Sequence, residues 1–143
     1  MSDRVPSDHE TVTTHRTHRK QVGRTGRPRL PLPDALDVAA GDTIRLSFGG
    51  DTYHAQVVDS FDGGLEVRGA FVNARLARTE DDGENLLQSW VDDAGLSVGD
   101  PVELDVVTAG YQFGLRRPGE RVVYRALDPP SSSLADIARD LDG

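Results

Sequence analysis

Short segments that alternate apolar and polar residues run along the chain from about residue 29 to residue 127. A period of two residues is typical of β-strands that bury one face. Turn sequences such as Gly49-Gly50-Asp51 and Arg117-Pro118-Gly119-Glu120 separate the segments. The pattern predicts strands at residues 29–32, 43–48, 52–58, 65–68, 101–107, 111–115 and 121–127.

Two other stretches have helical spacing. Residues 84–93 place Leu86, Leu87, Trp90 and Val91 at intervals that share one helix face. Residues 133–141 do the same after a serine that can cap the first turn. We therefore predict two helices, with little more than one helical turn at residues 33–38.

The chain also contains an internal repeat. Gly41-Asp42 aligns with Gly99-Asp100 at an offset of 99 − 41 = 58 residues, and apolar positions on either side of the two turns match as well. Each copy reads as short helix, Gly-Asp turn, strand, turn and strand. The predicted fold is mainly β: a small closed or partly closed barrel built from two similar β units with pseudo-twofold symmetry, short helices and a C-terminal helix.

Composition divides the chain into three parts. Residues 1–29 carry seven basic and three acidic side chains, a net +4, whereas residues 30–143 carry nine basic and 21 acidic, a net −12. We expect a basic, mostly disordered arm at 1–28, a β-barrel domain at 29–127, and a linker with the C-terminal helix at 128–143. The β-branched residues at 10–14 leave open whether an edge strand forms there.

The acidic residues are mostly aspartate, 18 Asp to 6 Glu, and there is one lysine against 15 arginines. This composition resembles that of proteins from salt-loving archaea, where excess negative charge keeps proteins hydrated and soluble. Zero cysteines exclude disulfides, thiolate metal sites and thiol catalysis. No signal peptide or membrane-spanning stretch is apparent, so the expected location is the cytoplasm and no membrane partner is expected.

Residues 29–44, which contain Pro31, Pro33 and the Gly41-Asp42 turn, resemble the half-motif of the AbrB/SpoVT/MazE swapped-hairpin proteins, and Gly26-Arg27 is similar to the pair that precedes that motif. The resemblance implies a small cradle-loop barrel, which this family assembles from two chains, and a DNA-binding role. The basic residue that the family often carries four positions after its proline is Ala35 here. The chain as a whole also resembles small haloarchaeal proteins.

The leading functional hypothesis is a regulatory protein that binds nucleic acid, either DNA or RNA. Arginine contacts phosphates, and aromatic rings on a strand can stack with bases. The arm and an arginine-bearing hairpin supply the candidate binding residues, namely Arg24, Arg27, Arg29, Tyr111, Arg116, Arg117 and Arg121.

Two alternatives remain open. His54 is the histidine of the β region, and it could act as general base in a metal-independent ribonuclease, with Arg116 or Arg117 stabilising the phosphorane. The second alternative is a non-catalytic protein-interaction module. No cofactor or metal site is expected, since the histidines of the arm lack a carboxylate at suitable spacing. A homodimer is possible.

Overall fold

The computed structural model describes residues 4–21, 28–60, 63–79 and 83–127. The helix predicted at 133–141 lies outside these residues. The protein is mainly β, as predicted, and each predicted strand overlaps an observed one. The strands are β1 (Arg4–Pro6), β2 (Thr13–His18), β3 (Lys20–Gln21), β4 (Pro28–Leu32), β5 (Thr43–Phe48), β6 (Asp51–Gln56), β7 (Val58–Asp59), β8 (Leu65–Val67), β9 (Pro101–Thr108), β10 (Gln112–Arg116) and β11 (Val123–Arg125). The helices are α1 (Ala74–Thr79) and α2 (Leu86–Asp93), with a 3-10 turn at Asp34–Leu36.

The main sheet has five strands in the order β2-β9-β10-β5-β6. Two antiparallel hairpins, β5–β6 and β9–β10, form most of it, and they meet where β10 runs parallel to β5 with Phe113 beside Leu46. Gly49 and Gly50 make the β5–β6 turn with positive φ angles of 61° and 91°. Glycine adopts these angles without steric penalty, which explains the Gly-Gly sequence at this tight turn.

The remaining strands form a four-stranded sheet, β3-β4-β8-β7, and the pair β1-β11. The main sheet ends at β2 and β6, and no strand of the described residues connects these two edges through a ladder. The closed barrel is therefore not confirmed.

The core lies on one face of the main sheet because the strands alternate apolar and polar side chains. Ile44 and Leu46 of β5 pack there with Leu104 and Phe113, against Leu30 of β4. α2 closes this core, as its spacing predicts: its Leu87 and Val91 are buried. Asn85 caps the helix by accepting hydrogen bonds from the backbone N–H groups of residues 87 and 88.

The expectation of a mostly disordered arm is wrong for residues 4–21. β2 pairs with β9 along its whole length, from Thr13 opposite Val106 to His18 opposite Pro101, and β1 pairs with β11. Without β2, β9 would be an edge strand with unpaired backbone groups, so the N-terminal segment completes the main sheet.

The two Gly-Asp turns have the same local structure. The Asp42 carboxylate accepts from the backbone N–H of residue 39 at 2.9 Å, and the Asp100 carboxylate accepts from that of residue 97 at 2.8 Å. Gly41 and Gly99 have φ angles of 97° and 95°, and Asp37 and Gly95, four residues before each glycine, are both left-handed. The backbone geometry of the two turns therefore matches at the positions that the internal repeat aligns.

α1 was not predicted from the sequence. Its Ala77 is buried, and the helix packs against β5 and β6. No helix within the described ranges has both the length and the apolar character to span a membrane.

Candidate nucleic-acid interface

Arg116 of the predicted hairpin surface is held inside the protein. Its Nε and Nη2 donate to the Asp105 carboxylate at 2.8 and 3.2 Å, and its Nη1 donates to the backbone carbonyl of Glu120. Asp105 is fully buried and also accepts from the hydroxyls of Thr14 and Tyr124. The cluster joins β2, β9, β10 and β11, so Arg116 has a structural role and is not displayed for a phosphate.

The electrostatics of this cluster agree with that role. The hydrogen bond that Arg116 donates to Asp105 raises the pKa of Arg116 above its usual value despite partial burial. Burial, followed by the hydrogen bond to Asp105, raises the pKa of Tyr124 far above its usual value. Arg116 therefore stays charged and Tyr124 stays neutral at any physiological pH.

Arg117 and Arg121 are exposed, but each lies beside a carboxylate. Arg117 pairs with Glu120 at 3.3 Å and Arg121 pairs with Asp8 at 3.0 Å. Exposed ion pairs of this kind contribute little stability and can exchange partners. Both arginines would have to leave an existing partner to bind a phosphate.

Arg29 is buried and its guanidinium lies 2.9 Å from Glu66, which also accepts from Arg68. Burial alone would raise the pKa of Glu66, but hydrogen bonds from Arg29, Arg68 and Ser60 outweigh it and hold the pKa below its usual value. Arg29 thus belongs to a buried ionic cluster. The structure corrects its assignment to the nucleic-acid surface. Arg24 and Arg27 lie outside the described residues.

Tyr111 is half-buried, and its partner is an arginine that the sequence analysis did not single out. The guanidinium carbon of Arg45 lies over the Tyr111 ring, 5.1 Å from its centroid. The backbone holds the pair in place, since the Arg45 N–H donates to the Tyr111 carbonyl at 2.8 Å. Such a cation–π pair presents a charged plane and an aromatic ring side by side.

His54 lies directly across from Arg45 in the β5–β6 ladder. Because paired residues share a face, both side chains lie on the face opposite the core. Burial, followed by the positive charge of Arg45, lowers the pKa of His54, so the imidazole is neutral at pH 7. The His54 Nδ1 and the Gln56 Oε1 on the same face are buried, and neither has a hydrogen-bond partner among the residues that the structure describes.

The segment that leads into α1 extends this region. The backbones of Phe71 and His54 exchange two hydrogen bonds of 2.8 Å, and α1 follows at Ala74. Its Arg75 and Arg78 are exposed and, within the part of the chain that the structure describes, neither makes an ion pair. Arg45 likewise has no carboxylate partner there. We call the surface of Arg45, His54, Arg75, Arg78 and Tyr111 the β5/α1 surface.

Sequence reasoning identified Tyr111 and His54 as candidates and missed that Arg45 joins them. The available signal was strand alternation: Arg45 is two residues from Thr43 and Ser47 on the polar face of the strand predicted at residues 43–48. The contact with Tyr111 spans 66 residues (111 − 45) and depends on the parallel pairing of β5 and β10.

No group of three or more metal-ligating side chains occurs among residues 4–21, 28–60, 63–79 and 83–127.

A family profile spans nearly the whole chain, from residue 1 to residue 141. The chain belongs to this family, which is described as a family of unknown function, DUF7112. No curated protein and no protein of solved structure matches the chain. Membership of DUF7112 brings no activity with it, so function has to be inferred from the side chains of the site.

Proposed function

We propose that this protein binds nucleic acid in a regulatory role, and that the β5/α1 surface is its contact surface. One observation carries the proposal: among residues 4–21, 28–60, 63–79 and 83–127, no carboxylate partners Arg45, Arg75 or Arg78, and all three lie on β5 or on the helix packed against it. A guanidinium without an internal partner can donate its paired N–H groups to a phosphate.

The acidic composition is typical of proteins that work at molar salt, and high salt limits the kinds of contact by which a polyanion can bind. At molar salt the Debye length is about 3 Å, so long-range attraction to a polyanion is largely screened. Binding then depends on short-range contacts: bidentate arginine–phosphate bonds and stacking on aromatic rings. The Arg45–Tyr111 pair offers both in one place.

The arginines of the arm and those between β10 and β11 have different roles in this proposal. Arg24 and Arg27 remain candidates for supplementary phosphate contacts, while Arg117 and Arg121 would have to exchange a carboxylate for a phosphate. The architecture proposed for the whole is a pseudo-twofold body of two β units, each starting at one Gly-Asp turn, in the manner of a partly closed barrel.

Fluorescence anisotropy tests the proposal with labelled single-stranded RNA and DNA and their duplexes, each at 0.2 and 2 M KCl. We expect Arg45→Gln to weaken binding about tenfold, because a lost charged hydrogen bond is worth roughly 1.5 kcal/mol. The double variant Arg75→Gln/Arg78→Gln is expected to weaken it to a similar degree.

The matched control is Arg117→Gln/Arg121→Gln, which removes two exposed charges from already paired positions. We expect less than a twofold change for it. Equal losses for the control and the β5/α1 variants would indicate a general charge effect and contradict the assignment. The double variant Arg24→Gln/Arg27→Gln measures how much these two arginines of the arm contribute to the binding affinity, and it leaves the strands of residues 4–21 in place.

A ribonuclease is the second candidate, because a neutral His54 faces Arg45 across the ladder. Arg116 is engaged with Asp105, so Arg45 would have to stabilise the phosphorane instead. Incubation of labelled RNA with the protein and a chelator tests this, with His54→Ala alongside. Cleavage that persists in His54→Ala would exclude the histidine as the base.

A further inference from the structure

A cavity of about 120 Å³ lies on the same side of the main sheet as the β5/α1 surface, between the β5–β6 turn and β11. Leu115 and Tyr124 form part of its wall, and the polar residues Ser47 and Thr52 line another part. An engineered cavity of about 150 Å³ holds one benzene ring, so this smaller cavity, which opens to solvent, takes at most a single six-membered ring and not two fused rings.

A chain of hydrogen bonds determines which groups on the polar wall of the cavity donate and which accept. The amide of Gln112 has a determined orientation, because its Oε1 accepts from the backbone N–H of Leu127 and its Nε2 donates to the backbone carbonyl of Arg125. The second proton of Nε2 goes to the Ser47 hydroxyl at 3.1 Å. Ser47 therefore already accepts one hydrogen bond from inside the protein.

The hydroxyl of Thr52 is a hydrogen-bond donor at the cavity. The buried Ser47 hydroxyl lies 2.8 Å from the hydroxyl of Thr52, which is the acceptor available to it among the described residues. Either hydroxyl can be the donor of this pair, and we assign the proton to Ser47 because that arrangement leaves no buried hydroxyl proton without an acceptor. The proton of Thr52 then has no acceptor within the described protein. Thr52 lines the cavity, so its hydroxyl is positioned to donate to whatever enters it.

The cavity adjoins the β5/α1 surface. Ser47 follows Arg45 by two residues on the same strand face, and Thr52 precedes His54 by two on β6. Two residues of a strand span about 7 Å. A nucleotide whose phosphate contacts Arg45 can place its base in the cavity at that separation.

We propose that the cavity binds one pyrimidine base of a single-stranded polynucleotide held on the β5/α1 surface, an inference that rests on the proposed function. A single ring is the largest group that the volume takes, the ring packs beside Tyr124, and its O2 carbonyl accepts the hydrogen bond of Thr52. Uracil, thymine and cytosine all carry this carbonyl. A base in a duplex cannot enter, because it must be unstacked first.

Labelled hexamers of U, C and A test the proposal by anisotropy with the full chain. We expect U6 and C6 to bind about tenfold more tightly than A6. Thr52→Val keeps the side-chain volume and removes the donor, so it should weaken U6 and C6 about tenfold and leave A6 unchanged. Val123→Phe, at an exposed position that lines the cavity, should do the same by filling it.

The outcomes separate this inference from the proposed function. Arg45→Gln should weaken all three hexamers alike, because it acts on the phosphate. Equal binding of the three hexamers, or equal losses for all three in Thr52→Val, would overturn the pyrimidine site while leaving the binding surface in place. Absence of binding to any hexamer at 0.2 M KCl would overturn both. Thermal unfolding of each variant verifies that it is folded.

Discussion

At the scale of single residues, the arginines differ by the carboxylates around them. Arg116 is 13% exposed and tied to a fully buried Asp105, whereas Arg121 is 59% exposed beside an exposed Asp8. Removing one partner of a buried pair leaves an uncompensated charge, while an exposed pair is screened by water. Identical substitutions at the two aspartates should therefore have very different costs.

We expect Asp105→Asn to lower the free energy of unfolding by about 3 kcal/mol, because the Arg116 charge then lacks its counterion in a buried cluster. Asp8→Asn makes the same chemical change at the exposed pair, and its expected effect is within about 0.5 kcal/mol of zero. Urea unfolding followed by tryptophan fluorescence measures both. Similar losses for the two variants would mean that the Asp105 cluster is not the buried ionic site described above.

Gly114 is required by the ring of Tyr124, since a Cβ atom at this position would overlap that ring. Gly114→Ala should therefore cost about 2 kcal/mol, as expected for overpacking. Once Tyr124→Leu has removed the ring, adding Gly114→Ala should lower the free energy of unfolding by less than Gly114→Ala does in the wild type. Strict additivity of the two losses in urea unfolding would contradict a direct contact.

Because the pKa of His54 is lowered in the folded protein, the contribution of this residue to the free energy of unfolding depends on pH. A folded pKa below the unfolded value of about 6.5 means that the unfolded chain binds the proton more readily. This contribution is fully present above pH 6.5 and is lost as the pH falls below it. The thermal midpoint should drop less between pH 7.5 and 5.5 in His54→Gln than in the wild type, and an unchanged drop would contradict this.

At the scale of elements, the two Gly-Asp turns should respond alike to substitution. Added Cβ atoms at Gly41 and Gly99 meet no other atom within 4 Å, so the cost of alanine is the backbone strain at φ angles of 97° and 95°. We expect Gly41→Ala and Gly99→Ala each to lose about 1 to 2 kcal/mol of unfolding free energy. A difference above about 1 kcal/mol between them in parallel urea titrations would contradict the structural equivalence.

Alternation and turn chemistry made most elements predictable. β5 matches its predicted bounds, and β6, β9 and β10 overlap theirs closely, because the sequence of each alternates apolar and polar residues next to a glycine turn. β2 was less predictable. Its sequence of Thr, His and Arg buries a single side chain, Thr17, so β2 forms because its backbone pairs with the free edge of β9.

The candidate site was less accessible to sequence reasoning than the fold. Arg29 and Arg116 looked like surface cations, but their carboxylates lie 37 and 11 residues away along the chain and come close only through strand pairing. The role of α1 was also hidden, since its six residues are too few to show a clear helical period.

At the scale of the whole molecule, the net charge of −8 predicts a dependence on salt. Mutual repulsion of the carboxylates destabilises the compact state, and salt screens it. We expect the thermal midpoint to rise between 0.1 and 2 M KCl. In Asp92→Asn/Asp93→Asn, which removes two adjacent exposed charges, the rise should be smaller. An equal rise in both proteins would indicate that this carboxylate pair does not take part in the repulsion.

The pairing of β2 with β9 brings residue 13 beside residue 106. During synthesis, which proceeds from the N-terminus, β2 leaves the ribosome long before its partner exists. β2 stays unpaired until β9 emerges, so the main sheet is completed only after the 82 residues between the two strands (residues 19–100) have been synthesised. Pairings so distant along the sequence slow folding because a large loop has to close first, and the nascent chain would therefore be most vulnerable to proteases and to mispairing during that interval.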